Sequence, residues 1–159
     1  PVDRIVSIGA FEAFKVERYP LFFEKAYSVL PDDGRMLLHT ILAHNQKFYR
    51  DNGIKVTISD LKFMKFIEKE IFPGGRLPAV EDIQKLAADS DFTLERIQLL
   101  QPHYARTLDI WSENLEKNRE QAIAIQSEEV YERYMKFLRG TADGFRIGYI
   151  DINQFTMEK

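Results

Sequence analysis

Residues 2–9 read Val-Asp-Arg-Ile-Val-Ser-Ile-Gly, and this stretch decides the fold class of the chain. Four of its first seven residues are β-branched and a glycine closes it, which predicts a β-strand over residues 2–8. Apolar residues at helical spacing follow at 16–30, then a Pro-Asp-Asp-Gly turn at 31–34 and a mostly apolar strand at 35–41. Strand, helix and strand in this order form a βαβ unit, so we expect an α/β fold with a largely parallel sheet.

The rest of the chain continues the alternation of helical and extended patterns. We predict helices over 59–72, 79–88, 103–124 and 127–143, and strands over 92–100 and 147–157. Ser59 and Ser127 precede two of these helices and are the expected N-caps. Residues 43–58 are polar, and we predict that they are irregular. The final strand follows two long helices, which is compatible with an antiparallel insertion, and we expect a single domain over residues 1–159.

Glycine patterns in the chain predict turns rather than a phosphate-binding loop. There is no G-x-G-x-x-G and no Walker motif, and the Pro-Gly-Gly at 73–75 follows a helix rather than a strand. Gly140, Gly144 and Gly148 recur every four residues. This spacing is typical either of close helix packing or of a helix end that frays into a turn, and we favour the second interpretation.

The composition excludes several classes of function. The chain has 159 residues, 22 of them basic and 25 acidic, with a formal net charge of −3 and no cysteine. Without cysteine it has no disulfide scaffold, no thiolate zinc site and no cysteine nucleophile, and no histidine pair has the spacing of a helical zinc site, so no metal is expected. The acidic balance argues against nucleic acid as a partner. No stretch approaches the ~20 apolar residues of a spanning helix and no leader is visible, so we expect no transmembrane segment and a cytoplasmic location.

Three polar residues are candidates for a site. Glu12 follows the first predicted strand, His39 lies in the second, and Tyr104 follows the third. Ligands of open α/β sheets bind beyond the carboxyl ends of the strands, so the three are expected to meet at one sheet edge. Each also has a structural alternative: Glu12 is as well explained as a helix-start anchor, whereas His39 as a core histidine and Tyr104 as a packing residue are the commoner cases.

Six blocks of sequence carry a resemblance to a known family. They are Val-Asp-Arg-Ile-Val-Ser-Ile-Gly-Ala-Phe-Glu (2–12), Leu-Leu-His-Thr-Ile (37–41), Phe-Ile-Glu-Lys-Glu-Ile-Phe-Pro-Gly-Gly-Arg-Leu-Pro (66–78), Gln-Pro-His-Tyr-Ala-Arg-Thr-Leu (101–108), Ser-Glu-Glu-Val-Tyr-Glu-Arg-Tyr-Met-Lys (127–136) and Asn-Gln-Phe-Thr (153–156). With these blocks the chain resembles the cyclopropane-fatty-acid synthases, and within them the mycobacterial mycolic acid methyltransferases and cyclopropane synthases. The blocks keep the family's order and spacing over essentially the whole chain.

The resemblance implies a Rossmann-like class I S-adenosylmethionine-dependent methyltransferase sheet with its last strand antiparallel. In the family a Gly-rich cofactor loop follows the first strand, in the N-terminal half. The present chain would begin at the fourth strand. It is therefore expected to be a partial methyltransferase domain, the C-terminal portion, without the N-terminal Gly-rich cofactor loop.

The resemblance also assigns roles to residues. In the family a bicarbonate ion at the reacting centre acts as the general base. Glu12, His39 and Tyr104 match the side chains that hold this ion, and Ile8 matches a residue that contacts it through the backbone.

Three further positions match the family less simply. Gly9 would lie beside the reactive end of the cofactor. Thr141 stands where the family usually has cysteine, and it cannot act as a thiolate. Ala13 stands where the family often has histidine, which alters the wall of the pocket.

The function implied is methyl transfer from S-adenosylmethionine to the double bond of long unsaturated acyl chains in mycolic acid and lipid biosynthesis. The acyl substrate is expected to be bound to a carrier protein or a lipid, and the product to be a cyclopropane, a hydroxyl or a methoxy group. One alternative is that the chain is a catalytically inactive fragment or a lipid-binding remnant. A further alternative is an O-methyltransferase that acts on hydroxylated mycolic acids.

Overall fold

A computed structural model of the chain describes residues 2–159. The chain forms two compact units. The first, here the sheet unit, comprises Pro1–Gln46, Gly75–Leu100 and Ile150–Lys159. The second, here the helical unit, comprises Lys47–Gly74 and Gln101–Tyr149. Each unit is built from segments that are distant in the sequence.

The sheet unit contains a four-stranded mixed sheet in the order β1-β2-β4-β3. Its strands are β1 (Arg4–Ile8), β2 (Arg35–Ala43), β3 (Thr93–Leu99) and β4 (Ile150–Glu158). β1 pairs parallel with β2, whereas β4 runs antiparallel between β2 and β3. The α/β fold and the antiparallel last strand are thereby confirmed, and each predicted strand agrees with an observed one to within three residues at either end.

Two helices flank this sheet, α1 (Tyr19–Val29) and α4 (Val80–Asp89). β2 buries alternate residues, and the side chains of Met36, Leu38 and Leu42 are fully inaccessible to solvent. They belong to an apolar core to which the helices contribute Phe23 and Ile83. One face of β2 thus lies in the core, whereas Leu37, His39 and Ile41 on the other face are only partly buried. The run of apolar residues predicts a strand buried on both faces, and the structure buries one of them fully. At the edge of the sheet, β1 packs Ile5 against this core and leaves Val6 and Ile8 exposed.

The helical unit contains the remaining helices. They are α2 (Gln46–Asp51, whose first residue belongs to the sheet unit), α3 (Ile58–Phe66), a π-helical turn (Ile67–Ile71), α5 (Gln101–Lys117), α6 (Arg119–Ile125) and α7 (Glu128–Ile147). The prediction that residues 43–58 are irregular is wrong, because α2 forms there. The predicted helix 103–124 divides at Asn118, whose side chain donates a hydrogen bond to the Asn114 carbonyl at 2.8 Å.

The N-cap residue of α3 is not Ser59, as predicted, but a residue two positions earlier. Thr57 is the N-cap: its hydroxyl accepts from the Asp60 amide at 3.3 Å, and the Asp60 carboxylate accepts from the Thr57 amide at 2.7 Å. This reciprocal pair of hydrogen bonds is a capping box, and it satisfies two backbone donors instead of one. At the start of α7 the prediction is confirmed, since the Ser127 hydroxyl accepts from the Val130 amide at 3.2 Å.

The glycines of α7 combine both interpretations offered by the sequence. The helix continues past Gly140 and ends at Gly148, which adopts a left-handed conformation with φ of 85°. At Gly140 the Phe63 ring packs so closely that an added Cβ would lie 3.0 Å from its Cδ2 atom, with two other ring atoms nearer still. Helix packing therefore explains Gly140, and helix termination explains Gly148. No helix among residues 2–159 is long and apolar enough to cross a membrane.

Candidate functional site

The carboxyl end of β1 brings together Ile8, Gly9 and His39. Ile8 is the last residue of β1 and lies opposite His39 in β2. The Gly9 amide then donates to the His39 carbonyl at 3.1 Å. Gly9 has a φ of +63°, in the left-handed region that other residues adopt at a cost. The turn at Gly9 takes the chain out of the sheet and into the segment that carries Glu12.

Glu12 continues the hydrogen bonding of the sheet where β1 stops. It lies in a 3₁₀ turn, Phe11–Ala13, and its Oε1 atom accepts from the Ile41 amide at 2.6 Å. Ile41 lies two residues beyond the last position of β2 that pairs with β1. The other carboxylate oxygen, Oε2, is buried and accepts no hydrogen bond from residues 2–159. Glu12 is therefore an anchor through one oxygen and has a buried acceptor without a partner in the other.

His39 shares the electrostatic environment of Glu12. Burial lowers the pKa of the His39 imidazole below 6.5, and the negative charge of Glu12 partly opposes this change. The imidazole is therefore neutral at pH 7, with one nitrogen that donates and one that accepts. Its side chain is half-buried, in contrast to its fully buried neighbours Leu38 and Thr40 on the opposite face of β2. His39 is thus not part of the closed apolar core.

Tyr19 packs next to the segment that carries Glu12, and no sequence motif marks it. Its ring stacks on that of Phe11 at a centroid distance of 4.1 Å, and its hydroxyl donates to the Arg76 carbonyl at 3.1 Å. Burial raises the pKa of the Tyr19 phenol, and the charge of Glu12 raises it further. Since 57 residues separate Tyr19 from Arg76, no local sequence pattern identifies the contact.

Tyr104 and Thr141 lie in the helical unit. Tyr104, on α5, packs edge-on against Phe145 and Trp111, at centroid distances of 5.2 and 6.3 Å. Thr141 is buried on α7, one turn before Phe145. The structure therefore groups Ile8, Gly9, Glu12 and His39 within one unit. That Tyr104 completes a common pocket with them remains a prediction.

The described residues do not form a cluster of metal ligands. Among residues 2–159, no three histidine, aspartate or glutamate side chains converge as they would around a metal ion.

Comparison with known proteins identifies the family. The profile of the family described as "Mycolic acid cyclopropane synthetase" matches residues 1–155. The chain belongs to the mycolic acid cyclopropane synthetase family. The expected resemblance is thereby confirmed across almost the whole chain.

Individual members of the mycolic acid cyclopropane synthetase family show how similar the chain is to them. It is 63% identical over 158 residues to the S-adenosylmethionine-dependent methyltransferase UmaA of Mycobacterium tuberculosis (strain ATCC 25618 / H37Rv), covering 99% of this chain and 55% of UmaA. The solved structure of the cyclopropane synthase MmaA2 from Mycobacterium tuberculosis superposes with a TM-score of 0.98 at 56% identity, over 100% of this chain and 56% of that one. The mycolic acid cyclopropane synthase CmaA1 complexed with SAH and CTAB gives a TM-score of 0.94 at 58% identity, with the same coverage. The chain thus spans about half the length of the relatives it matches.

Proposed function

We propose that the chain contributes the base-holding part of an S-adenosylmethionine-dependent enzyme that methylates or cyclopropanates the double bond of long unsaturated acyl chains, mycolic acid precursors among them. It would do so as the C-terminal portion of a longer polypeptide whose earlier part carries the Gly-rich cofactor loop. The observation that carries the proposal is the buried Oε2 atom of Glu12, without a partner in residues 2–159, in the same unit as the half-buried imidazole of His39.

The residues of the sheet unit fit a bound bicarbonate ion. A buried carboxylate oxygen without a donor favours a ligand that brings a hydroxyl hydrogen, which bicarbonate has and a halide lacks. The neutral His39 imidazole has one N–H that can donate to an oxygen of the ion. Ile8 would contribute a backbone contact, and Tyr104 of the helical unit is the remaining side chain proposed to hold the ion.

When bound, S-adenosylmethionine supplies an electrophilic methyl group and bicarbonate supplies the base that takes up the proton. The Oε2 atom of Glu12 would hold the ion by accepting its hydroxyl hydrogen, and the ion would supply the base. Because the Ile41 amide holds Oε1, the carboxylate cannot rotate freely, so its orientation is set in advance. His39 stays neutral and donates without adding a positive charge.

The acyl substrate is proposed from the relatives. CTAB, which carries a long alkyl chain, is present in the CmaA1 complex, and this supports a long-chain ligand for the present chain. Aromatic faces such as those of Tyr104 and Trp111 would stabilise positive charge that develops on the alkene, by about 0.5–2 kcal/mol each. Thr141 would form part of the wall, as a hydroxyl in place of the usual thiol. A carrier protein or a lipid would present the acyl chain.

A chimera tests the proposal. In it, the 159 residues replace the matching part of MmaA2. With S-adenosylmethionine and an unsaturated acyl substrate, we expect mass spectrometry to detect a product 14 mass units heavier, with a yield that falls when bicarbonate is removed. A His39→Ala variant of the chimera is expected to lose this product. A folded chimera that makes no product would favour the inactive or lipid-binding remnant, and a methoxy product from a hydroxylated substrate would favour the O-methyltransferase.

The isolated 159-residue chain provides a second measurement. Calorimetric titration with S-adenosylmethionine is expected to show no binding at millimolar ligand, because the chain has no G-x-G-x-x-G or similar loop. Tight binding would contradict the proposed division of the cofactor site.

A further inference from the structure

Helix α3 has an exposed face that carries apolar side chains at its start and lysine side chains after them. The α3 lysine face consists of Ile58, Leu61, Lys62, Lys65 and Lys69. The first four have i, i+3, i+4 and i+7 spacing, so they lie on one side of the helix, and Lys69 extends that side into the π-helical turn. Ile58 is 75% exposed and Leu61 is 57% exposed.

Packing within the helical unit does not account for this face. The inner side of α3 carries Phe63 and Phe66, and it is this side that packs against the unit. Phe63 contacts Gly140 of α7, and the Lys136 ammonium lies 4.0 Å from the centre of the Phe66 ring. The helix is therefore apolar on two sides, and its inner contacts explain only one of them.

The lysines argue against a second layer of protein over this face. Lysine is almost never fully buried in a protein interior, so a second protein layer over Ile58 and Leu61 would have to bury Lys62 and Lys65 as well. A lipid surface has no such difficulty. Lysine stems lie along apolar surface while the ammonium groups reach the headgroups, and the apolar side chains enter the acyl boundary.

The charge of the face favours a lipid surface with negatively charged headgroups as its partner. The α3 lysine face carries three lysines and no acidic residue, in a chain whose net charge is −3. Asp60 lies on another side of the helix, where Thr57 and the Tyr149 hydroxyl contact its carboxylate. Lys69 pairs with Glu70 at 3.2 Å, so the charge of the face comes mainly from Lys62 and Lys65. A cationic face on an acidic chain is complementary to anionic headgroups.

We propose that the α3 lysine face docks the chain on an anionic lipid surface. Ile58 and Leu61 enter the boundary between headgroups and acyl chains, and Lys62, Lys65 and Lys69 contact the headgroup phosphates. This inference goes beyond the proposed chemistry, and it places the chain at the kind of surface in which acyl chains lie. It concerns binding alone, so it stands or falls separately from methyl transfer.

Vesicle flotation with the 159-residue chain tests the inference. We expect binding to vesicles of phosphatidylglycerol and phosphatidylcholine in equal parts, weaker binding in high salt, and little binding to pure phosphatidylcholine. Lys62→Gln and Lys65→Gln should each weaken binding by about fivefold, and together by about thirtyfold. Ile58→Ser should weaken it by about tenfold, and high salt should leave this loss unchanged.

Matched variants on other elements are the controls. Ile125→Ser removes an isoleucine that is 70% exposed on α6, and Lys85→Gln removes an exposed lysine of α4. Both are expected to bind like the unchanged chain, and circular dichroism verifies that every variant is folded. The inference is overturned if the unchanged chain does not bind anionic vesicles, if the control variants lose as much binding as the α3 variants, or if the face binds an acidic carrier protein and no vesicle.

Discussion

Substitutions at Glu12 separate its two roles, because its two oxygens have different partners. Oε1 accepts from the partly buried Ile41 amide at 2.6 Å. Hydrogen bonds to a charged group contribute about 1.5–3 kcal/mol, and an amide left without a partner costs about 1–3 kcal/mol. Glu12→Ala removes the acceptor, so we expect the free energy of unfolding to fall by about 2 kcal/mol. Glu12→Gln keeps a carbonyl oxygen in the same place, and its cost should be about 0.5–1 kcal/mol.

Two measurements on the 159-residue chain report these costs. Urea denaturation followed by circular dichroism at pH 7 gives the free energy of unfolding for each variant. Hydrogen exchange of the Ile41 amide gives the local effect, and the exchange rate should rise more in Glu12→Ala than in Glu12→Gln. Glu17→Gln, an exposed substitution in the next 3₁₀ turn, Val16–Arg18, is the control and should change neither quantity.

The second role is tested in the MmaA2 chimera. Both Glu12 variants should lose most of the product, because neither has a carboxylate at Oε2 to accept from bicarbonate, whereas the affinity for S-adenosylmethionine should stay the same. If Glu12→Gln destabilises the chain as much as Glu12→Ala does, the hydrogen bond to the Ile41 amide is not the cause of the loss. The proposed role in the site fails if the Glu12→Gln chimera turns over normally.

Two further predictions concern the helical unit. Tyr149→Phe removes a hydroxyl that donates to Asp60 and to the Lys55 carbonyl, so it should lower the free energy of unfolding by about 1–2 kcal/mol, whereas the exposed Tyr134→Phe on α7 should have no effect. The hydrogen bond to Asp60 raises the pKa of Tyr149 to about 12 from 10.0, so this stabilisation is complete below pH 10 and is lost as the pH rises towards 12. The difference between the two proteins in urea denaturation should therefore be the same at pH 6 and pH 9, and a strong change between these values would contradict the assignment. Gly140→Ala should destabilise the unit by about 1 kcal/mol in net terms, since overlap with the Phe63 ring costs about 1–3 kcal/mol and helix propensity returns about 1 kcal/mol. Phe63→Leu in the same protein should recover part of the loss, and its failure to do so would show that the ring is not the cause.

The sequence by itself determined those features that depend on neighbouring residues. The β-branched run ended by Gly9 specifies β1 and the turn after it, because that turn needs a positive φ. Ser127 specifies the start of α7 because the cap and its amide partner are three residues apart. The six sequence blocks identify the family, since spacing along the chain is all that such blocks require. Through the family they predict roles for Glu12 and His39.

Only the tertiary structure decided the features that join distant residues. Local propensity favours Ser59 as a cap, yet α3 begins after Thr57, where the capping box with Asp60 forms and the Tyr149 hydroxyl contacts the same carboxylate. The sequence leaves Glu12 equally an anchor or a site residue. In the fold one carboxylate oxygen is an anchor, because β1 ends two positions before Ile41 and exposes an amide that this oxygen satisfies. The other oxygen stays buried without a donor from residues 2–159, and its role in a site stays a prediction. Such contacts depend on where whole strands and helices end in space, and the periodicity of side chains along each element does not encode this.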